Sequence, residues 1–265
     1  MPDSHPDSAA TSIVKGVDDL IDSALRLKGV GKAPHHKHQT SCRQLTKSAM
    51  TGFDASGLIA EIYEKVRQNW DNSKFHSRSK ENWRFEKQKC ISDKNQSREV
   101  ILERAIVNIP EEIWPDAACW VNQIPVASGL VGSDADRRRS IDLVHKCGDK
   151  AYEFIELKVG SDTPLYAAME ILKYGVLYIF CRQDERVSKY VDRKGKLLQA
   201  EKIHLRVLAP IKYYEKYDLS WLEKCIKNGL ANFLAQRKFA FEMDFKFETL
   251  PLIPSRSPVT WRVKA

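Results

Sequence analysis

The stretch IDLVHKCGDKAYEFIELKVG, Ile141 to Gly160, decides the fold. Its two ends read as strands, with Gly148 supplying turn chemistry between them. Side chains alternate across a strand, so Tyr152, Phe154, Glu156 and Lys158 share one face while Ile155, Leu157 and Val159 take the other. On the preceding strand Asp142 shares its face with Val144. An acid and a base on one sheet face cost free energy unless each is paired or solvated. A hairpin would bring Asp142 near Glu156, and two adjacent carboxylates repel unless a cation sits between them. Mg²⁺ takes oxygen ligands and keeps several waters. A water held beside Lys158 would then be oriented for attack on phosphorus. The bland alternative is that Glu156 and Lys158 form a surface pair worth little to stability.

Outward from the hairpin the pattern alternates between helix and strand. SREVILERAIVNIP reads as a helix with Ser97 as N-cap and Pro110 beyond its end. CWVNQIPVASGL reads as a strand preceding the hairpin. TPLYAAMEILKYGVLYIFCRQ follows as a long helix, with Thr163 as cap and Pro164 in its first turn. It is apolar on most sides, which places it against the sheet. KIHLRVLAPIKYY (strand), LSWLEKCIKNGLANFLAQRK (helix) and FAFEMDFKFETLP (strand) complete the order. The fold class is α/β, a mixed sheet sandwiched by helices.

Upstream, residues 1–12 read as a disordered tail and residues 13–95 as a basic, helical extension. VDDLIDSALRLKGVG predicts a helix ending at Gly29 or Gly31, and DASGLIAEIYEKVRQNW a second one. KAPHHKHQTSCRQLTKS reads as an exposed, His-rich loop, because His35, His36 and His38 fit no compact metal spacing. From Lys74 to Arg98 there are eight Lys or Arg against three acids, interleaved with Phe75, Trp83 and Phe85. Such a mixture suits a phosphate backbone and stacked bases. The alternative is a solvated helix face whose aromatics anchor it to the core.

The 265 residues allow one large domain or a domain with an appendage, and the net charge of +8 favours an anionic partner, most often nucleic acid. Cys42, Cys90, Cys119, Cys147, Cys181 and Cys225 show no C-x-x-C spacing, which argues against a zinc site. The polar opening MPDSHPDSAATS lacks the apolar segment of a secretory signal, and the longest apolar run, GVLYIFC, is too short to span a bilayer. The expectation is a soluble cytoplasmic protein with free thiols and no membrane partner.

IDLV…YEFIELKVG resembles the PD-(D/E)XK nuclease superfamily, with Asp142, Glu156 and Lys158 at the motif positions. The order of elements also resembles that fold's core, over roughly residues 97–215. The resemblance implies a restriction-endonuclease-like domain over residues 96–265. It also implies a Mg²⁺ (or Mn²⁺) cofactor held by Asp142, Glu156 and the Leu157 carbonyl, and Lys158 orienting water. The substrate implied is a phosphodiester, most economically in DNA. Relatives of the RecB-like kind carry Q-x-x-x-Y in the next helix, where this chain has Glu170 and Tyr174. The family often places a Glu on the helix before the sheet, for which Glu99 and Glu103 are both candidates. Nucleic-acid contacts are expected from Lys80, Arg84, Lys87, Lys89 and Tyr174, and from Arg137, Arg138 and Arg139 before the Asp142 strand. Gln123 is a further polar strand residue within reach of the site. Many such enzymes cut as homodimers, in restriction, repair or defence. The rival expectation is a catalytically silent nucleic-acid-binding or assembly module.

Overall fold

The computed structural model describes residues 12–27, 35–46, 49–73, 82–88, 97–126, 139–184 and 196–250. Of the expected tail, all but Ser12 lies outside them. Among the described residues the helices are α1 (Val17–Ala24), α2 (Gln39–Leu45), α3 (Ala55–Asp71), α4 (Arg98–Val107), α5 (Pro164–Gln183), the short α6 (Ile211–Tyr214) and α7 (Ser220–Gln236). The strands are β1 (Trp120–Pro125), β2 (Ser140–Lys146), β3 (Ala151–Leu157), β4 (Lys202–Pro210) and β5 (Glu242–Leu250). They form one five-stranded sheet in sequence order. β1, β2 and β3 pair antiparallel, and β4 and β5 then add parallel. Parallel neighbours require a crossover. Here α5 connects β3 to β4, and α7 lies between β4 and β5.

Local chemistry starts the helices where the pattern predicts. Ser97 Oγ accepts the Val100 N–H at 3.2 Å, Thr163 Oγ1 that of Tyr166 at 3.1 Å, and Asp54 Oδ1 that of Gly57 at 2.8 Å. Each satisfies one of the orphan donors of a first turn. α5 is buried along nearly its whole length. By length and composition it is apolar enough to cross a membrane, wider than the GVLYIFC run suggests, but 89% of its most apolar window is buried inside the fold. It is the core helix, packed on β3, β4 and α3.

The alternation along β3 divides the interior in two. Tyr152 and Phe154 join Val144, Leu205, α3, α5 and α7 in the larger core. Ile155 and Leu157 join Leu143, Trp120, Ile106 and Val107 under α4 in a smaller one. Residues of α1 and α3 belong to the larger core, with α3 packed on α5 and α7 and α1 packed on α3.

Two local expectations are corrected, and of the two readings of the basic segment's aromatics the core-anchoring one is borne out for Trp83 and Phe85. α1 stops at Ala24, before either glycine. Arg26 takes a left-handed φ of 54°, and the N–H groups of Arg26 and Leu27 reach back to the carbonyls of Ser23 and Asp22, a Schellman close without glycine. The His-rich stretch is not an exposed loop throughout: it holds a 3₁₀ turn (His35–Lys37) and α2, with His36 fully buried. The cause is Asp22, whose Oδ1 accepts both the His36 backbone N–H (2.9 Å) and Nδ1–H (2.6 Å). Lastly, Trp83 and Phe85 face the core, not a solvent groove. Trp83 is fully buried and stacks on Phe154 at 6.2 Å, while Phe85 meets Tyr152 edge-on at 5.4 Å.

α7 approaches the start of α3 through Gly229. A Cβ there would lie 2.8 Å from Ala55 Cβ, 2.9 Å from the Ala55 carbonyl carbon and 3.0 Å from Ser56 N. Backbone cannot swing aside as a side chain can. Gly229→Ala gains about 1 kcal/mol of helix propensity, and overpacking costs about 1–3 kcal/mol. A net loss of stability is expected, read as a lower urea midpoint at unchanged slope.

Candidate active site

The sheet register assembles a polar row. Leu143 pairs with Ile155 and Val144 with Phe154, so one step further brings Asp142 opposite Glu156. On the other side Gln123 falls between the pairs Asn122–Leu143 and Ile124–Ile141, which sets it opposite Asp142. Gln123 holds a left-handed φ of 50° within the strand, a strained conformation for a residue with a side chain. Its Nε2 donates to Glu103 Oε2 at 2.6 Å and its Oε1 accepts from Ser140 Oγ at 2.8 Å. Those two bonds offset the strain and make Gln123 a supporting member of the row.

Glu156 is 4% exposed and Lys158 7%. Lys158 follows the last residue of β3, and its N–H still bonds to the Leu208 carbonyl of β4 at 3.0 Å. Its Nζ lies 2.7 Å from Glu156 Oε1, 3.5 Å from Asp162 Oδ2 and 3.7 Å from Glu170 Oε2. The pair is therefore not a solvated surface pair. Asp142 is half-buried, and its Oδ2 accepts the Leu157 N–H at 2.9 Å. Asp162, with a left-handed φ of 56°, was not among the expected site residues. Its signal was an acid four positions after Lys158, in the turn before a capped helix.

Burial dominates the electrostatics. It pushes the Asp142 carboxyl up to about 7, with the charges of Glu103 and Glu170 adding to it and the Leu157 N–H and Lys158 opposing. Burial likewise raises Glu156 well above the usual carboxylate range, reinforced by Asp142 and Glu170. Burial works against the Lys158 ammonium, but Glu156 and Glu170 outweigh it, and its pKa lies above the ordinary value. The site thus holds more carboxylates than cations, with Glu156 and Lys158 nearly sealed from water.

The two glutamates of α4 separate clearly. Glu103 is buried, accepts from Asn122 Nδ2 at 2.7 Å as well as from Gln123, and adds its charge to the field at Asp142. Glu99 instead accepts the Val159 N–H at 3.2 Å and the Ser161 hydroxyl at 2.8 Å, tying down the loop beyond Lys158. Burial tends to raise its pKa, and these bonds outweigh it, holding the carboxyl below the usual range.

On α5, Tyr166, Glu170 and Tyr174 are spaced by four and share a face. Both tyrosine hydroxyls donate to Glu170 Oε1, at 3.4 and 3.3 Å. Of the expected nucleic-acid contacts, Arg84 bonds to Gln88 and to the Gln123 carbonyl, beside the row. Lys87 is half-buried, and the charge of Arg139 is felt at Tyr174. Lys80, Lys89, Arg137 and Arg138 lie outside the described residues. Among the described residues no group of three or more His, Cys, Asp and Glu is arranged to hold a metal ion. Glu156 is engaged by Lys158, Glu103 by two amides and Asp142 by a backbone N–H. Cys42, Cys119, Cys147 and Cys225 are free thiols, and Cys90 lies outside the described residues. No family model, no curated protein and no solved structure matches this chain.

Asp142 offers a pH test. Its pKa rises from 3.8 to about 7 on folding, so the folded chain binds this proton more tightly than the unfolded one. The corresponding stability is fully present below about 3.8 and is lost as pH rises through about 7. Asp142→Asn keeps an acceptor for the Leu157 N–H and removes the charge. In metal-free buffer above about pH 7 it should melt higher than wild type, by roughly 2–4 °C per kcal/mol of relieved repulsion. Its Tm should also fall less between mildly acidic and mildly basic pH. A lower Tm at every pH would mark Asp142 as a structural acceptor only.

Proposed function

We propose that the chain is a metal-dependent nuclease that hydrolyses phosphodiester bonds, with DNA as the substrate. Its α/β fold would be a restriction-endonuclease-like core. The order α4, three antiparallel strands, α5 and a parallel fourth strand supports that assignment. The observation that carries the function is the set Asp142, Glu156 and Lys158. Two carboxylates from neighbouring strands are held at raised pKa by burial, beside a buried ammonium. Perturbed titration of this kind concentrates where charge is put to use.

The donor set fits a hard divalent cation, Mg²⁺ or Mn²⁺. It consists of oxygens alone, from Asp142, Glu156 and the Leu157 carbonyl. When bound, such a cation would supply charge neutralisation and Lewis acidity toward a phosphoryl oxygen. The chain's own residues do the rest. Lys158 has Asp162 and Glu170 within 3.7 Å, so its ammonium keeps counter-ions when Glu156 is engaged elsewhere. It would donate to the attacking water and to oxygens that gain charge as the phosphorus–oxygen bond breaks. Glu103 holds Gln123 beside Asp142 by accepting a hydrogen bond from its side-chain amide. The net charge of +8 favours a polyanion. Arg84 and Arg139 lie nearest the row, and Lys80, Lys87, Lys89, Arg137 and Arg138 would extend the contact.

A second reading, a nucleic-acid-binding or assembly module with a silent site, is favoured by two observations on the described residues. Lys158 already neutralises Glu156 at 2.7 Å, and the carboxylates as they stand form no three-ligand group.

Incubating the full chain with supercoiled plasmid and Mg²⁺ or Mn²⁺ separates the two. Nicking that EDTA abolishes is expected. Lys158→Ala should reduce it by about 10²-fold or more while leaving DNA affinity within about twofold. Wild-type cutting by Lys158→Ala, or no cutting by the parent chain with either cation, would sink the nuclease assignment.

A further inference from the structure

Outside the candidate site, a group of ionisable side chains, several of them buried, lies on the far side of Tyr166. α1 contributes Asp18 and Asp22, the 3₁₀ turn contributes His36 and Lys37, and α5 contributes Lys173. Lys173 is 3% exposed and its Nζ lies 2.7 Å from Asp18 Oδ1. A buried ammonium without a counter-ion is strongly destabilising, so this pair fixes α1 on α5. His36 is clamped by Asp22 through its backbone N–H and Nδ1–H. Its Nε2 is buried without a hydrogen-bond partner, 3.9 Å from Asp18 Oδ1. The clamped imidazole stacks on the Tyr166 ring, centroids 5.8 Å apart and planes at 27°.

Tyr166 thus stands between two charged groups. Its ring has Lys37 Nζ at 4.9 Å, Lys158 Nζ at 5.8 Å and Lys173 Nζ at 5.9 Å from the centroid, all within reach of the ring's negative face. Its hydroxyl points the other way along the chain of contacts, to Glu170 Oε1. Tyr174 donates to the same oxygen from the next turn. Two phenols on Oε1 leave Oε2 for Lys158. Burial and the Glu170 charge raise the pKa of both tyrosines, so each remains a neutral donor. Without the Tyr166 hydroxyl the Glu170 carboxylate, which keeps some solvent access, is free to turn outward. Lys158 is then left to Glu156 and the more exposed Asp162.

We propose that Tyr166 is a positioning residue: the His36–Asp22 clamp fixes its ring, and its hydroxyl, with that of Tyr174, fixes Glu170 so that one carboxylate oxygen faces Lys158. This rests on Lys158 being the working cation of the proposed hydrolytic site, and it makes the N-terminal helical layer part of that site's support.

Amine reactivity reads the link without any cleavage assay. The full chain, metal-free, is treated with limiting acetic anhydride, and acetylation is quantified at Lys158, Lys173 and the exposed Lys150. Tyr166→Phe should raise the rate at Lys158 about three- to tenfold, the range of one hydrogen bond, and leave Lys173 unchanged. An unchanged Lys158, or a common rise at Lys158 and Lys173 that reports general loosening, overturns the proposal. If Tyr166→Phe does not fold, His36→Asn keeps a donor to Asp22 and removes the stacked ring. It should raise Lys158 alone, and an unchanged Lys158 again overturns the link. In plasmid cleavage with Mg²⁺, Tyr166→Phe should lower kcat and leave KM unchanged. Altered labelling with wild-type kcat would overturn the catalytic part of the role. If the parent chain does not cut, the nuclease assignment fails by itself, and the labelling still decides what Tyr166 positions.

Discussion

A buried lysine–glutamate pair at the end of the central strand governs the arrangement around it. Lys158 and Glu156 are each almost sealed from water and lie 2.7 Å apart. Taking both charges out of water costs several kcal/mol per ion, and losing either partner would strand the other. The surrounding groups follow from that cost. Asp162 and Glu170 supply the ammonium with further counter-charge. Asp142, short of a cation of its own, is left to accept a backbone N–H and to hold a proton near neutral pH. The sheet makes this crowding unavoidable: β3 has neighbours on both edges, so whatever its face carries at that end is enclosed by β2, β4 and the start of α5.

Much of this was legible in the sequence, because the relevant interactions are local or periodic. The alternation from Tyr152 to Lys158 sorted β3 into two faces, and the structure fills one with Phe154 and the other with Ile155 and Leu157. Ser97 and Thr163 were readable as caps because a cap needs only a donor three positions away. Asp142 and Glu156 could be matched because a short hairpin leaves few registers. The unreadable parts depend on partners far along the chain. His36 is buried because Asp22, fourteen residues earlier, satisfies it. Glu103 and Glu99 have the same helical spacing to any sequence reader, and only the approach of β1 and of the loop after Lys158 distinguishes them. Trp83 read as a base-stacking candidate within a basic segment, but its ring fills a gap between Phe154 and Tyr178.

Glu156 as it stands is already engaged by Lys158, and that bears on both functional readings. A cation entering between Asp142 and Glu156 competes with an ammonium already within hydrogen-bond reach of Glu156. Competition of this kind weakens binding without preventing it, provided the ammonium has somewhere to go. Glu170 is that alternative only while its carboxylate stays aimed at Lys158. Glu170 puts a charge at this point of α5, 3.7 Å from Lys158 Nζ, and a charge is what a displaced ammonium needs.

Helix α5 carries this logic beyond the site. Within its buried run from Leu165 to Cys181 only Glu170 and Lys173 are charged. Glu170 is paired toward the sheet, with Lys158, and Lys173 away from it, with Asp18 of α1. An apolar helix in an apolar slot can slide or rotate at modest cost, because neighbouring registers bury similar area. Two ions with partners on two different elements, Lys158 after β3 and Asp18 on α1, remove that freedom. A shift by one turn, about 5.4 Å, would carry both beyond reach of their partners at once. The N-terminal layer and the candidate site therefore cannot be displaced independently. The single position of α5 that satisfies Asp18 is the one that presents Glu170 to Lys158.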